Sequence, residues 1–326
     1  MQSLLKRIPE LCYSDIYGRS ADEIGVQVRE RKGEDRMLQS IAIGLIPAAM
    51  WGIAPPLMTK YAKGGAYIQM LGTMTGVFLI SVLLVLTHGF KAMSVADSLL
   101  AVASGAMWPI GMYGQFAANM KIGVSRTFPV SAGLQIAGNA LIGWILLGEW
   151  STMQQISMGL CGVLLILAGI MLGNVAPQKQ KKAAPGELAA LILLATTTVG
   201  YWLYALLPKY IPDTDAYSTQ LLQAAGMMLS AVLITYFCGK RKLTDLHAGE
   251  LGCASVIGLL YGIASFAYLI SLRENGLVRG NLLGQLNLVI ATLIGMYILK
   301  EKQPVSKARS WLGMVLILAG VAVIQL

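Results

Sequence analysis

Three polar residues, Ser131, Gln135 and Asn139, are spaced four apart inside an apolar run at 123–150, GVSRTFPVSAGLQIAGNALIGWILLGEW. On a helix they share one face. A polar stripe on an otherwise apolar helix is where a membrane carrier would hold a polar solute. A weaker copy follows at 276–302, GLVRGNLLGQLNLVIATLIGMYILKEK. There Asn287 and Thr292 roughly answer Gln135 and Asn139. The same spacing recurs elsewhere: Trp108, Gly111, Gln115 and Asn119 form one face, Tyr261, Ser265 and Tyr268 a second, Thr197, Tyr201 and Tyr204 a third. Gln69, Thr219 and Gln223 add further amides and hydroxyls, and Trp51 stands near the middle of its own apolar run.

This inventory is amides, hydroxyls and large aromatic rings. Amides donate and accept together, which suits vicinal hydroxyls. Aromatic faces suit the C–H face of a sugar ring. No Asp or Glu lies in the middle of an apolar run, and no Arg/Lys cluster stands ready for an anion. The pattern selects a small neutral polyhydroxy solute over an ionic one. The bland alternative is that membrane helices use such amides to bond one another and small residues such as Gly72 and Gly76 to approach closely.

The composition sets the frame. The chain is 56% hydrophobic and 13% charged, about half the charged fraction of a soluble domain. Apolar runs of roughly 20 residues recur, each long enough to cross about 30 Å of hydrocarbon as a helix. Strict two-residue alternation is absent, which argues against a β-barrel. The expected fold class is therefore an all-α polytopic membrane protein. The net charge of +9 sits in short loops, so it reads as membrane topology rather than nucleic-acid binding. Cys12, Cys161, Cys238 and Cys253 show no metal-ligand spacing, and His88 and His247 fall in loops. No catalytic group, metal or cofactor is expected, and an intramembrane enzyme would lack its acid or imidazole pair.

Residues 1–36 carry seven Lys/Arg and seven Asp/Glu and no apolar core. They read either as a charged cytoplasmic tail or as a start placed too early. The second reading takes Met37 as the start, because Lys32-Gly33-Glu34 back-translates to a ribosome-binding sequence at ordinary distance from it. From Met37 ten transmembrane helices are expected, at 38–58, 67–87, 97–119, 124–147, 152–173, 187–207, 216–237, 250–272, 278–299 and 308–325. The polar linker 176–186, APQKQKKAAPG, divides them into 37–175 and 187–326, five spans each.

The halves read as repeats. GVLLILAG at 162–169 answers GMVLILAG at 313–320. Leu147-Gly148-Glu149 answers Leu299-Lys300-Glu301, Arg126 answers Arg279, Trp108 answers Tyr261 and Lys60 answers Lys209. Five is an odd number, so the two five-helix repeats must be inverted, with the solute between them. Lys and Arg concentrate in the loops after odd-numbered spans. That puts those loops in the cytoplasm and both termini outside. Pro55-Pro56, Pro109 and Pro129 are expected to interrupt their helices. Trp150 and Trp311 read as interfacial anchors facing membrane lipid. Glu149 and Glu301 read as helix-end partners. Arg126 and Arg279 either snorkel to the interface or guard a mouth of the cavity.

The chain from Met37 onward resembles the glucose/ribose uptake proteins of low-GC Gram-positive bacteria, in the ten-helix branch of the drug/metabolite transporter superfamily. The residues that carry the resemblance are Gly123-Val124-Ser125, Thr127, Pro129-Val130-Ser131, Gly133, Gln135 and Leu147-Gly148-Glu149-Trp150-Ser151. Gly64-Gly65, Tyr67, Gln69, Gly72-Thr73, Trp51-Gly52, Gln115, Gln223 and Gln285-Leu286 also fit. Arg126, Tyr261, Ala264-Ser265 and Lys300 depart from the family pattern, which puts the particular sugar in doubt. The resemblance implies secondary active uptake of a glucose- or ribose-type monosaccharide across a bacterial cell membrane, with protons. Sugar uniport and export of an amino acid or metabolite are the alternatives. Candidate solute-binding residues are then Trp51, Gln69, Trp108, Gln115, Ser131, Gln135, Asn139, Tyr201, Gln223, Tyr261, Gln285 and Asn287.

Overall fold

The computed structural model describes residues 21–174, 186–211, 214–239, 247–300 and 305–325, with side chains from Met37 onward. Among these residues every long element is helical and no strand occurs. The elements are α1 (Ala21–Tyr61), α2 (Ala66–His88), α3 (Val95–Ile122), α4 (Val124–Ile145), α5 (Met153–Asn174), α6 (Glu187–Leu206) with a 3-10 turn Leu207–Tyr210, α7 (Ala216–Phe237), α8 (Ala248–Gln285), α9 (Asn287–Leu293) with a π turn Ile294–Ile298, and α10 (Lys307–Gln325). Among the described residues, nine helical stretches are long and apolar enough to cross a membrane.

The chain divides into two compact units, 1–42 and 43–326. In the first, described from Ala21, the backbone is helical and Ser40 Oγ donates to the Met37 carbonyl at 3.0 Å. The expected charged tail is thus helical over 21–36, and 1–20 lie outside the described residues. So do 175–185 of the expected linker, and Glu301 and Lys302. The second unit holds everything that follows.

Capping fixes two of the starts. Ser94 accepts the Asp97 amide at 3.1 Å and Asp215 accepts the Ser218 amide at 2.9 Å, each satisfying a donor that a first turn leaves open. The interruptions fall elsewhere than the prolines suggest. α1 continues past Pro55-Pro56, α3 through Pro109 and α4 through Pro129. Neighbouring helices support the freed backbone groups in such a bundle. The sharp breaks come at glycines. Gly123 separates α3 from α4 with φ 85 and ψ 156, and Gly276 interrupts α8 with φ 79 and ψ 174. These angles lie in a region that only glycine enters freely. The expected spans 250–272 and 278–299 accordingly form one helical stretch, Ala248–Ile298, that turns at Gly276.

Small residues set the packing. α2 lies on α8, α3 on α6 and α7, and α5 on α10. A Cβ added at Gly76 would come within 2.4 Å of Gly258, and one at Gly162 within 2.7 Å of the Gly320 carbonyl. Gly169 opposes Gly313 in the same way. The two matched octapeptides therefore pack on each other antiparallel, first glycine against last. Apolar solvent gives helices no hydrophobic reason to associate, so such close backbone approach supplies the cohesion.

Candidate functional site

A small cavity of about 30 Å³ lies among α1, α3, α4, α6, α8 and α9. Its walls are Trp51, Pro55, Trp108, Met112, Gln115, Phe128, Gln135, Tyr201, Tyr261 and Asn287. None is charged. The volume is room for a water or two and far below the roughly 300–1,000 Å³ of small-molecule pockets, so a larger solute enters only when these walls part.

One wall is aromatic. Trp51 contacts Trp108 and Tyr268 with centroids 5.8 and 5.1 Å apart. Trp108 stacks on Tyr204 at 5.2 Å, and Tyr204 on Tyr268 at 6.1 Å. Tyr261 stands 6.2 Å from Trp108. The ring faces are held by one another, so little side-chain freedom is left to lose on binding.

A chain of hydrogen bonds adjoins this aromatic wall and shares Tyr268 with it. Tyr201 Oη donates to Gln115 Oε1 at 2.8 Å. Gln115 Nε2 and Gln135 Nε2 both donate to Ser131 Oγ at 3.1 Å. Gln285 Nε2 donates to Gln135 Oε1 at 2.9 Å and to Asn281 Oδ1 at 3.4 Å, and Tyr268 Oη donates to Asn281 Oδ1 at 3.1 Å. The chain ties α6, α3, α4 and both arms of α8 into one polar seam. Each amide oxygen that accepts within it fixes which way its amide faces the cavity.

Three residues of the cavity wall carry a buried polar atom with no hydrogen-bond partner: Trp51 Nε1, Tyr261 Oη and Asn287 Oδ1. All three side chains are buried. Leaving each unpaired costs about 1–3 kcal/mol. Together they are one donor, one acceptor and one group that does both, which is the complement of a hydroxyl-bearing solute. Asn119, Asn139 Oδ1 and Gln223 Oε1 are also buried without a partner, but they lie off this wall.

The twelve expected contact residues separate into three sets. Trp51, Trp108, Gln115, Gln135, Tyr201, Tyr261 and Asn287 line the cavity. Ser131 and Gln285 sit behind it and hold Gln115 and Gln135. Gln69, Asn139 and Gln223 lie apart. Gln69 Nε2 donates to the Ala62 carbonyl at 2.6 Å. Gln223 Nε2 donates to Ser104 Oγ, which donates in turn to the Tyr204 carbonyl. Pro55, Met112 and Phe128 on the wall carry no polar signal in the sequence. Asn281 did carry one, four residues before Gln285 on the same helical face, and Tyr204 and Tyr268 belonged to recognised faces.

The charged residues lie at the two ends. Arg126 pairs with Glu187, joining the first turns of α4 and α6. Glu149 lies past the other end of α4. Its carboxylate accepts the amides of Leu277 and Val278 at 2.5 and 2.8 Å, just after the Gly276 break. It is a helix-end partner, as expected, but of a helix 128 residues away. A second cavity there is lined by Glu149, Trp150, Asn275, Gly276 and Arg279 among others. Arg126 and Arg279 therefore stand at opposite ends of α4.

Comparisons agree with the fold and the family. A model of a sugar transport protein family matches residues 42–326. A Lactobacillus helveticus protein named for sugar uptake is 31% identical over 87% of this chain and 99% of its own. The glucose uptake protein of Staphylococcus xylosus is 30% identical over 85% of this chain and 94% of its own. A crystal structure shares the fold with a TM-score of 0.65 and 18% identity, covering 88% of this chain and 98% of that one. The chain, a multi-pass membrane protein of bacterial type, thus belongs to the sugar transport protein family.

Proposed function

We propose that the protein takes up a monosaccharide of the glucose or ribose type and binds it between the walls of this cavity, which would part to admit it. The observation that carries this reading is the trio Trp51 Nε1, Tyr261 Oη and Asn287 Oδ1, unpaired on an uncharged, aromatic wall. A sugar would supply hydroxyls to all three and a C–H face to Trp108 or Trp51. The names of the relatives support the solute class. Gln115, Gln135 and Tyr201 would complete the contacts, with Ser131 and Gln285 holding the amides in place. Arg126 and Arg279 would flank opposite mouths.

Alternating access would follow from ten spans built as two inverted five-helix repeats, 37–175 and 187–326, with 176–186 between them. The helical stretch Ala248–Ile298 has 51 residues, about 75 Å at 1.5 Å per residue, far more than one crossing of about 30 Å needs. Turned at Gly276, it supports two crossings. Gly123 and Gly276 match as breaks, and the antiparallel octapeptides support a two-fold relation between the halves.

Proton symport is the driving mode implied by the resemblance. The cavity wall offers no carboxylate or imidazole to carry the proton, and that observation favours uniport as the second reading. Uptake of labelled glucose and ribose into a transport-deficient strain, with and without an uncoupler, tests both. Symport predicts uncoupler-sensitive accumulation; equilibration that ignores the uncoupler supports uniport; no sugar entry overturns the proposal. Gln135→Ala and Trp108→Ala should each lower initial uptake at least about tenfold with membrane abundance unchanged.

A further inference from the structure

Glu149 does more than end a helix. The segment from Leu272 to Val278 surrounds the Gly276 break; two charged side chains from other elements hold it, and one of its own reaches out. Glu149 takes the Leu277 and Val278 amides. Lys209, from the 3-10 turn after α6, donates to the Leu272 carbonyl at 2.6 Å. Arg273 donates to the Thr214 carbonyl at 2.7 Å and to Thr219 Oγ1 at 3.1 Å, tying the break to the start of α7. Glu149 itself is anchored by its backbone, since its amide donates to the Gly143 carbonyl at 2.9 Å. Its carboxylate thus links the end of α4 to the Gly276 break in α8.

We propose that Glu149 is the latch of this mouth: its carboxylate, bound to the Leu277 and Val278 amides, keeps the joint at Gly276 closed, and releasing it lets α8 swing and open that end. The inference rests on the alternating-access reading above. A carboxylate accepting two amides at a helix start combines charge-assisted hydrogen bonds with the favourable end of the helix dipole. Both contributions vanish when the two groups separate, so the contact favours one state over the other. A group with equal affinity for both states could not gate anything. The joint is also compatible with motion, because Gly276 already occupies the backbone region where only glycine is unstrained. A Cβ there would also meet Glu149 Oε1 at 3.2 Å.

The test compares the two ends of the molecule. Cys12, Cys161, Cys238 and Cys253 are replaced by Ser, and one reporter is introduced by Ser271→Cys or Ser125→Cys. Both serines are buried, Ser271 beside the Gly276 break and Ser125 beside the Gly123 break. Each reporter is labelled with a water-soluble maleimide in nanodiscs, where both faces are accessible, with Glu149 intact and as Glu149→Gln. The glutamine keeps one acceptor but turns an N–H₂ toward the second amide. Release of the latch predicts labelling at position 271 about tenfold faster and labelling at position 125 slower. Unchanged labelling at 271 overturns the proposal. Faster labelling at both positions overturns it too, because Glu149 would then hold the fold together rather than gate one end. Sugar counterflow by the Glu149-intact protein is measured alongside. Its loss would strike the carrier reading alone, apart from the latch.

Discussion

Lys60 and Lys209 answer each other in the proposed repeat, yet their surroundings differ. Lys209 is half-buried, with its ammonium on the Leu272 carbonyl. Lys60 is exposed, with its ammonium above the ring of its neighbour Tyr61 at 5.1 Å. Gly276 is followed by amides bound to Glu149. At Gly123 the carbonyl accepts the amide and hydroxyl of Thr127 at 3.1 and 2.8 Å. The ion pair at that end, Arg126 with Glu187, joins α4 to α6. Matched positions thus sit in unlike surroundings, and under the proposed inverted-repeat reading such positions would distinguish the carrier's states.

The largest effect expected from this contrast is at Lys209. Lys209→Met removes a charged donor from a partly buried carbonyl and should lower sugar uptake about tenfold. Lys60→Met should change it less than about twofold. Initial uptake rates at equal membrane abundance read both. Equal effects would break the comparison, because matching positions would then do matching work.

A smaller effect sharpens it. Gly148 and Lys300 hold the same place in the two Leu-x-Glu turns, and both backbones are left-handed, with φ 64 and φ 52. Lysine is strained there and glycine is not. Lys300→Gly should raise stability by about 1 kcal/mol, seen as a higher midpoint in thermal melts of purified protein, with uptake unaffected. A lower midpoint would show that the lysine side chain, rather than the turn, matters at this position.

Much of this was legible in the sequence, for a local reason. Helical period is a local property, so Trp108 with Gln115, and Ser131 with Gln135, could be placed on shared faces from spacing alone. Seven of the twelve expected contact residues line one cavity because those faces converge. Gln69 shows where spacing stops informing. Its amide turns back to the Ala62 carbonyl seven residues away, which polarity alone cannot reveal. The partner of Glu149 could not be read either, since 128 residues intervene and only helix packing brings them together. The prolines misled because neighbouring helices support a proline inside a bundle, while a glycine with positive φ breaks a helix without any apolar signal. The departure at Lys300 was visible, but its left-handed backbone was not.

The central claim is that the unpaired atoms on the cavity wall exist for a sugar. Tyr261→Phe removes one of them, a single oxygen, and tests the claim most directly. A buried hydroxyl with no partner costs stability, so the phenylalanine variant should melt no lower than the parent protein. A site built to bond a substrate hydroxyl should nonetheless lose function. The measurement is glucose and ribose counterflow in proteoliposomes holding equal amounts of the two proteins, with thermal melts of the same preparations. The account predicts a half-saturation concentration raised about tenfold with the melting midpoint unchanged or higher. Counterflow equal to the parent's for both sugars would contradict it.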